Sequence, residues 1–152
     1  MLRYLLWCVS LLVFACDQLT KGFLSRRLYP GESIPIIKNI LHISLVHNTG
    51  IAFGLFKNQT FFFIVLSLVV IAYILRDFRL RMQHYNPARH IALGLILGGA
   101  CGNLLDRIRF GYVIDFLDFR IWPVFNIADS AITVGAIILG IELLFSKKAQ
   151  TR

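Results

Sequence analysis

Four apolar runs divide the chain: Leu2 to Leu19, Phe61 to Leu75, Ile91 to Leu105 and Ile127 to Phe145. Each approaches the roughly 20 residues that cross a hydrocarbon core as a helix, the second and third being completed by their flanks. This pattern predicts spans at about 2–21, 59–76, 90–107 and 126–145. Between the first two the periodicity changes. Pro30-Gly31-Glu32-Ser33 is turn chemistry, and Ile36-Ile37 and Ile40 to Val46 form short, partly alternating β-branched runs with His42 and Ser44 on the polar side. A small sheet lying on the membrane is expected there. It ends in Asn48-Thr49-Gly50-Ile51-Ala52-Phe53-Gly54, for which a tight turn beside a ligand and an ordinary strand-to-helix connection are equally supported. The extramembrane parts are then about 22–58 and 108–125, within one polytopic domain over 1–152.

Composition strengthens the membrane reading. At 57% hydrophobic and 16% charged, the chain carries more apolar surface than a soluble domain of 152 residues could bury. The net charge of +8 sits at the ends of the apolar runs, where anionic headgroups account for it better than nucleic acid does. Cys8, Cys16 and Cys101 all lie inside apolar runs, so they read as buried small hydrophobes rather than a disulfide framework. Arg3 followed by a run ending Val13-Phe14-Ala15-Cys16 has the outline of a cleavable leader, but Phe14 is bulky where such a signal takes a small residue. A retained first span is expected.

The polar residues within and beside the runs carry the functional information. Asp17 and Lys21, four apart, share a helix face and form either an interfacial ion pair or part of a site. Gly94, Gly98 and Gly102 form a column for close helix approach, and Ala136 with Gly140 a second small-residue pair. Asn103, Asp106 and Arg107 fall on one side of the third span's end, where Asp106 and Arg107 are a candidate structural pair. Apolar neighbours on both sides of Asp115 raise the cost of its charge. Asn126 and Asp129 share a face at the start of the last span, extended by Thr133, while the second span reads as lipid-facing scaffold.

Four spans put both termini on one side. Placing them in the cytoplasm sets Arg3, Arg76, Arg79, Arg81, Arg89, Lys147, Lys148 and Arg152 against Lys21, Arg26, Arg27, Lys38, Lys57, Arg107, Arg109 and Arg120 outside. The numbers tie, but the inside residues occupy shorter segments, and short basic loops govern orientation. Asp17, Lys21, Asn48, Asn103, Asp106, Arg107, Asp115, Asn126 and Asp129 then converge near the outer face.

What chemistry such a cluster performs is narrowed by elimination. There is no His-Glu-x-x-His helix, no Gly-x-Ser-x-Gly elbow and no phosphate-cradling glycine loop, and the cysteines lack the wet electropositive setting of a nucleophile. His42 and His47, five apart without Cys or paired carboxylates, do not suggest a metal site. Carboxylates remain. Two of them in a low-dielectric site share a proton, so one activates water while the other protonates a carbonyl oxygen or leaving amine. Spacing alone leaves open whether Asp115 meets Asp129 or whether Asp129 merely favours its own helix start.

Five motifs in register, Asp17-Gln18-x-x-Lys21, Asn48-Thr49-Gly50-x-Ala52-Phe53, Gly98-Gly99-x-x-Gly102-Asn103-x-x-Asp106-Arg107, Val113-Ile114-Asp115-Phe116 and Phe125-Asn126-x-Ala128-Asp129-Ser130, resemble the lipoprotein signal peptidase (signal peptidase II) family. The resemblance implies a membrane α-helical aspartic endopeptidase with four transmembrane helices, a small periplasmic β-cradle and a short periplasmic helix. It implies a catalytic dyad of Asp115 and Asp129, with Asn48, Gly50, Asn103, Asp106, Arg107, Asn126, Ala128, Asp17 and Lys21 binding substrate or supporting the site, and no metal or other cofactor. Its substrates would be diacylated prolipoproteins, cleaved on the amino side of the lipidated cysteine, its partners membrane lipids, and its inhibitors globomycin-type cyclic peptides. The location implied is the bacterial cell inner membrane with the active site facing the periplasm. Two rival readings survive the sequence: a proton or ion pathway, which would spread polar residues through the bilayer depth, and a non-catalytic assembly or lipid-binding protein.

Overall fold

The computed structural model describes residues 4–50, 59–80 and 86–149. In chain order the elements are α1 (Leu5–Leu24), β1 (Ser33–Ile37), β2 (Leu41–Asn48), α2 (Thr60–Leu80), α3 (Pro87–Phe110), β3 (Val113–Asp118) and α4 (Ile127–Ala149). α1, α2 and α3 are long and apolar enough to cross a membrane, and α4 has the length, at 23 residues. No fifth helix occurs among the described residues, which exclude 51–58 and with them the Ala52-Phe53 motif and Gly54.

α3 is the centre of the bundle, packed by α1, α2 and α4. Its glycines explain why. A Cβ on Gly94 would lie 2.7 Å from the Leu6 carbonyl oxygen and one on Gly98 2.5 Å from that of Ser10, so the predicted column is the seam with α1. On the other side, a Cβ on Gly99 would lie 2.5 Å from the Ala128 carbonyl oxygen of α4. The expected Ala136/Gly140 pair is corrected. Both residues face outward, and the glycine that packs is Gly135, one step round the helix, where a Cβ would meet the Ala92 carbonyl oxygen at 2.7 Å.

Helix ends depart from the apolar runs because capping, not hydropathy, sets them. Asn86 accepts from the Ala88 and Arg89 N–H groups with Pro87 opening the first turn, and Gly111 closes α3 at φ +79. α3 therefore begins three residues before the predicted span and ends three after it. α2 presents most of its side chains outward, as expected of scaffold, but buries Asp77 near its C-terminal end. There Arg89 grips Asp77 at 3.0 Å and Glu142 at 3.3 Å, and Asn86 donates to Glu142, tying α2, α3 and α4 together. Of the expected link from Arg76 to Arg89, residues 76–80 close α2 and residues 87–89 open α3, and 81–85 lie outside the described residues.

The sheet has the antiparallel order β1-β2-β3. β1 and β2 fall where the alternating runs placed them, with Pro35 tolerated on the edge strand. β3 is a strand that the pattern does not predict: Val113-Ile114-Asp115-Phe116 lacks the polar/apolar alternation of a half-buried strand, and the structure buries all four residues. Ser44 donates to Asp118 at 2.7 Å across the β2–β3 pair. All three cysteines are free thiols. Cys8 and Cys16 lie on the outward face of α1, and Cys101 is half-buried.

Candidate active site

The site is built around one saturated lysine. Lys21, on the last turns of α1 and 2% exposed, has three ammonium donors and three oxygen partners: Asp17 at 2.8 Å, Asp106 at 2.7 Å and Asn103 at 3.0 Å. Each of its two carboxylates accepts three donors. Asp17 takes Lys21, the Gln18 amide and the Ala128 N–H, and Asp106 takes Lys21, Gln18 and the Ile114 N–H. This corrects two expectations: the Asp17–Lys21 pair is buried rather than interfacial, and Asp106 pairs with Lys21 rather than with Arg107. The bonds to Ala128 and Ile114 also dock the start of α4 and the strand β3 onto α1 and α3. Only Gly102, whose Cβ would lie 2.6 Å from Asp17 Oδ2, leaves room for that carboxylate.

Lys21 also sets the direction of the next hydrogen bonds. Having only donors, it fixes the Asn103 oxygen toward itself, so the Asn103 amide nitrogen donates outward to Asp129 Oδ1 at 2.8 Å. The same logic repeats twice. The Gly50 N–H donates to the Asn48 oxygen, turning the Asn48 nitrogen onto Asp115 Oδ2 at 2.8 Å. The Asp129 N–H donates to the Asn126 oxygen, turning the Asn126 nitrogen onto Asp115 Oδ1 at 2.7 Å. Asn126 and Asp129 form a reciprocal cap, the Asp129 carboxylate accepting the Asn126 N–H at 3.3 Å. Asp129 is therefore both a helix-start carboxylate and a neighbour of Asp115.

Asp115 and Asp129 line one cavity of about 240 Å³ with Asn48, Gly50, Asn103 and Arg107, closed by residues 122–125. Neither carboxylate makes an ion pair with a described residue; amides hold both. Burial drives the Asp115 carboxyl up to about 7, and the Asp129 charge adds to this against the Asn48 and Asn126 hydrogen bonds. Arg107 reaches the cavity from α3, its guanidinium stacked over Phe63 of α2 at 5.0 Å from the ring centroid. Thr133, expected to extend the polar face, is exposed and bonded to the Asp129 carbonyl.

All nine polar residues expected at one face come together, with Gly50 and Ala128 beside them. Two contributors were missed. Gln18 cross-links Asp17, Asp106 and the Gly102 carbonyl, and its position between Asp17 and Lys21 was the available signal. Trp122 walls the cavity from a segment whose polarity and spacing carried no signal.

The fold is one already seen in bacterial membrane enzymes. Two solved structures so described superpose with TM-scores of 0.87 and 0.83 at 32% identity, covering 93% and 91% of this chain and 88% and 92% of theirs. Residues 9–145 match the signal peptidase (SPase) II family, and the chain belongs to that family. Among its relatives, the lipoprotein signal peptidase of Moorella thermoacetica is 48% identical over 95% of both chains. That of Halothermothrix orenii is 43% identical over 95% of this chain and 98% of its own. A membrane-integral protease is the class these findings define.

Proposed function

We propose that the protein is an intramembrane aspartic endopeptidase that removes signal peptides from diacylglyceryl-modified prolipoproteins, cutting on the amino side of the lipidated cysteine. The observation that carries this reading is the pair Asp115 and Asp129, lining one cavity and held by neutral amides. Like charges at that distance from solvent cannot both ionise near neutrality, so the pair keeps one proton. The ionised carboxylate takes a proton from water as its oxygen attacks the scissile carbonyl. The protonated one donates to the carbonyl oxygen, giving a neutral tetrahedral diol, and proton return to the amine completes cleavage. Arg107, in the cavity but not paired with either carboxylate, is available to hold a substrate carbonyl, and Asn48 and Gly50 to align the peptide.

The family names support the substrate class, and geometry supports the depth. The dyad lies where α3 ends and α4 begins, so a cysteine anchored by two acyl chains presents its peptide bond at the level of the site. Four spans in the bacterial inner membrane, both termini cytoplasmic, the site facing the periplasm, a single domain and inhibition by globomycin-type cyclic peptides belong to the same proposal. Buried charges gathered in two clusters at opposite ends of the bundle, with the apolar residues Leu6, Ile74, Leu93 and Leu97 in the core, favour it over an ion pathway. The test is hydrolysis of a diacylated prolipoprotein by purified protein and by Asp115→Asn and Asp129→Asn, with folding checked by thermal unfolding. Both folded variants are expected to lose cleavage; retained turnover in either removes that residue from the chemistry.

A further inference from the structure

Strand alternation gives this end of the molecule a second cavity. On β2 and β3, Asn48, Val113 and Asp115 face the dyad, while their sequence neighbours His47, Tyr112 and Ile114 face the other way. With the last turns of α1 and α3 these neighbours enclose about 310 Å³, separated from the dyad by the Lys21–Asp106 wall. The space is larger than the dyad cavity, and the peptidase mechanism does not use it.

Its charge pattern is specific. Lys21 has no donor left, and Asp17 and Asp106 are each held by three donors. The group left over is Arg109, exposed at the mouth with no acidic partner among the described residues. Ser25, opposite it on the cap of α1, offers a hydroxyl, and exposed Arg26 and Arg27 follow directly. Two helix C-termini meet here and would by themselves favour a cation; Arg109 at the mouth, with Arg26 and Arg27 exposed just past the end of α1, opposes that sign. Phe110 on its wall is exposed, as are Phe23 and Tyr29, next in sequence to the lining residues Gly22, Leu28 and Pro30, an aromatic signature of the headgroup layer, while Leu28 and Leu45 make the floor apolar.

We propose that this cavity binds a phosphate ester at headgroup depth, with Arg109 forking the phosphate and the apolar floor receiving the glycerol side of a phospholipid. Guanidinium is matched to phosphate because two parallel N–H groups meet two oxygens. The same chemistry is offered by soluble glycerol phosphate, and the two sources are separable by experiment. Purified protein is released from detergent in a mass spectrometer after incubation with phosphatidylglycerol, with diacylglycerol of the same chains, or with glycerol phosphate. Phosphatidylglycerol is expected to stay bound and diacylglycerol to be lost. Arg109→Gln is expected to weaken retention about tenfold, the loss of one charge-assisted pair. Arg79→Gln, an exposed arginine at the other end of the bundle, should change nothing. Ser25→Trp, filling the mouth, should displace the lipid as Arg109→Gln does. Equal retention by the Arg109 and Arg79 variants overturns the proposal, and displacement of lipid by equimolar glycerol phosphate overturns its lipid form. Cleavage by Arg109→Gln is expected to persist, so failure here is distinct from failure of the peptidase reading.

Discussion

Two groups of carboxylates share one end of the bundle and are held in opposite ways. Asp17 and Asp106 touch an ammonium group, whereas Asp115 and Asp129 receive their side-chain hydrogen bonds from amides alone. The ammonium group occupies carboxylate oxygens on both Asp17 and Asp106 and locks them in place as the links between α1, α3, β3 and α4. An amide fixes the position of the oxygens and leaves the proton free to move. The first group can therefore build the site and the second can operate it. Asn103 joins them, its oxygen on Lys21 and its nitrogen on Asp129. At the opposite end of the bundle Arg89 with Asp77 and Glu142 follows the first pattern.

Converting either dyad residue to its amide should break the comparison most severely. Asp115→Asn and Asp129→Asn keep shape and hydrogen-bonding capacity, yet cleavage should fall at least about 10³-fold, since acid or base function is lost outright. The unfolding temperature measured beside it should hold or rise for Asp115→Asn, whose native carboxyl is already driven toward neutrality.

Lys21→Met should act in the other direction, on the fold. It strands two buried carboxylates, a loss of about 3–5 kcal/mol, visible as a large drop in unfolding temperature before any kinetic effect is read. A variant as stable as the parent protein would contradict the structural role given to that group. Asn103→Ala sits between the two. Removing one donor to a carboxylate should lower kcat by about 10- to 100-fold with a smaller change in stability.

The pH profile gives the smallest and most diagnostic effect. Asp115 holds its proton up to about 7, so the singly protonated pair, and cleavage with it, should decline as pH rises through that value. Asn48 hydrogen-bonds the ionised form and lowers that value, so Asn48→Ala should move the alkaline limb to higher pH, by less than about one unit. Stability carries the same sign. Because the folded state binds this proton more tightly than the unfolded chain, stability contributed by Asp115 is full below about 4 and is lost as pH rises toward 7. Asp115→Asn should flatten that slope in thermal unfolding measured across the window.

Much of the plan was written along the chain. Runs of apolar residues near the span length fixed where the helices lie, since hydrocarbon leaves a backbone few other choices. The glycine column Gly94, Gly98 and Gly102 announced a close helix neighbour, and five short polar motifs announced the family. What the chain could not state was which neighbour, which partner and which face. Gly135 rather than Gly140 packs because of the rotation of α4 about its axis, and Lys21 rather than Arg107 meets Asp106 because α1 lies against that side of α3. Asp115 and Asp129 line one cavity because Asn126 bonds to Asp115 of β3 and Ala128, 111 residues along the chain, to Asp17 of α1, docking the start of α4 against both. Local spacing determines what a single helix or strand presents. Only packing several of them together decides which of those groups lose their water, and that loss is what turns ordinary aspartates into a candidate acid and base.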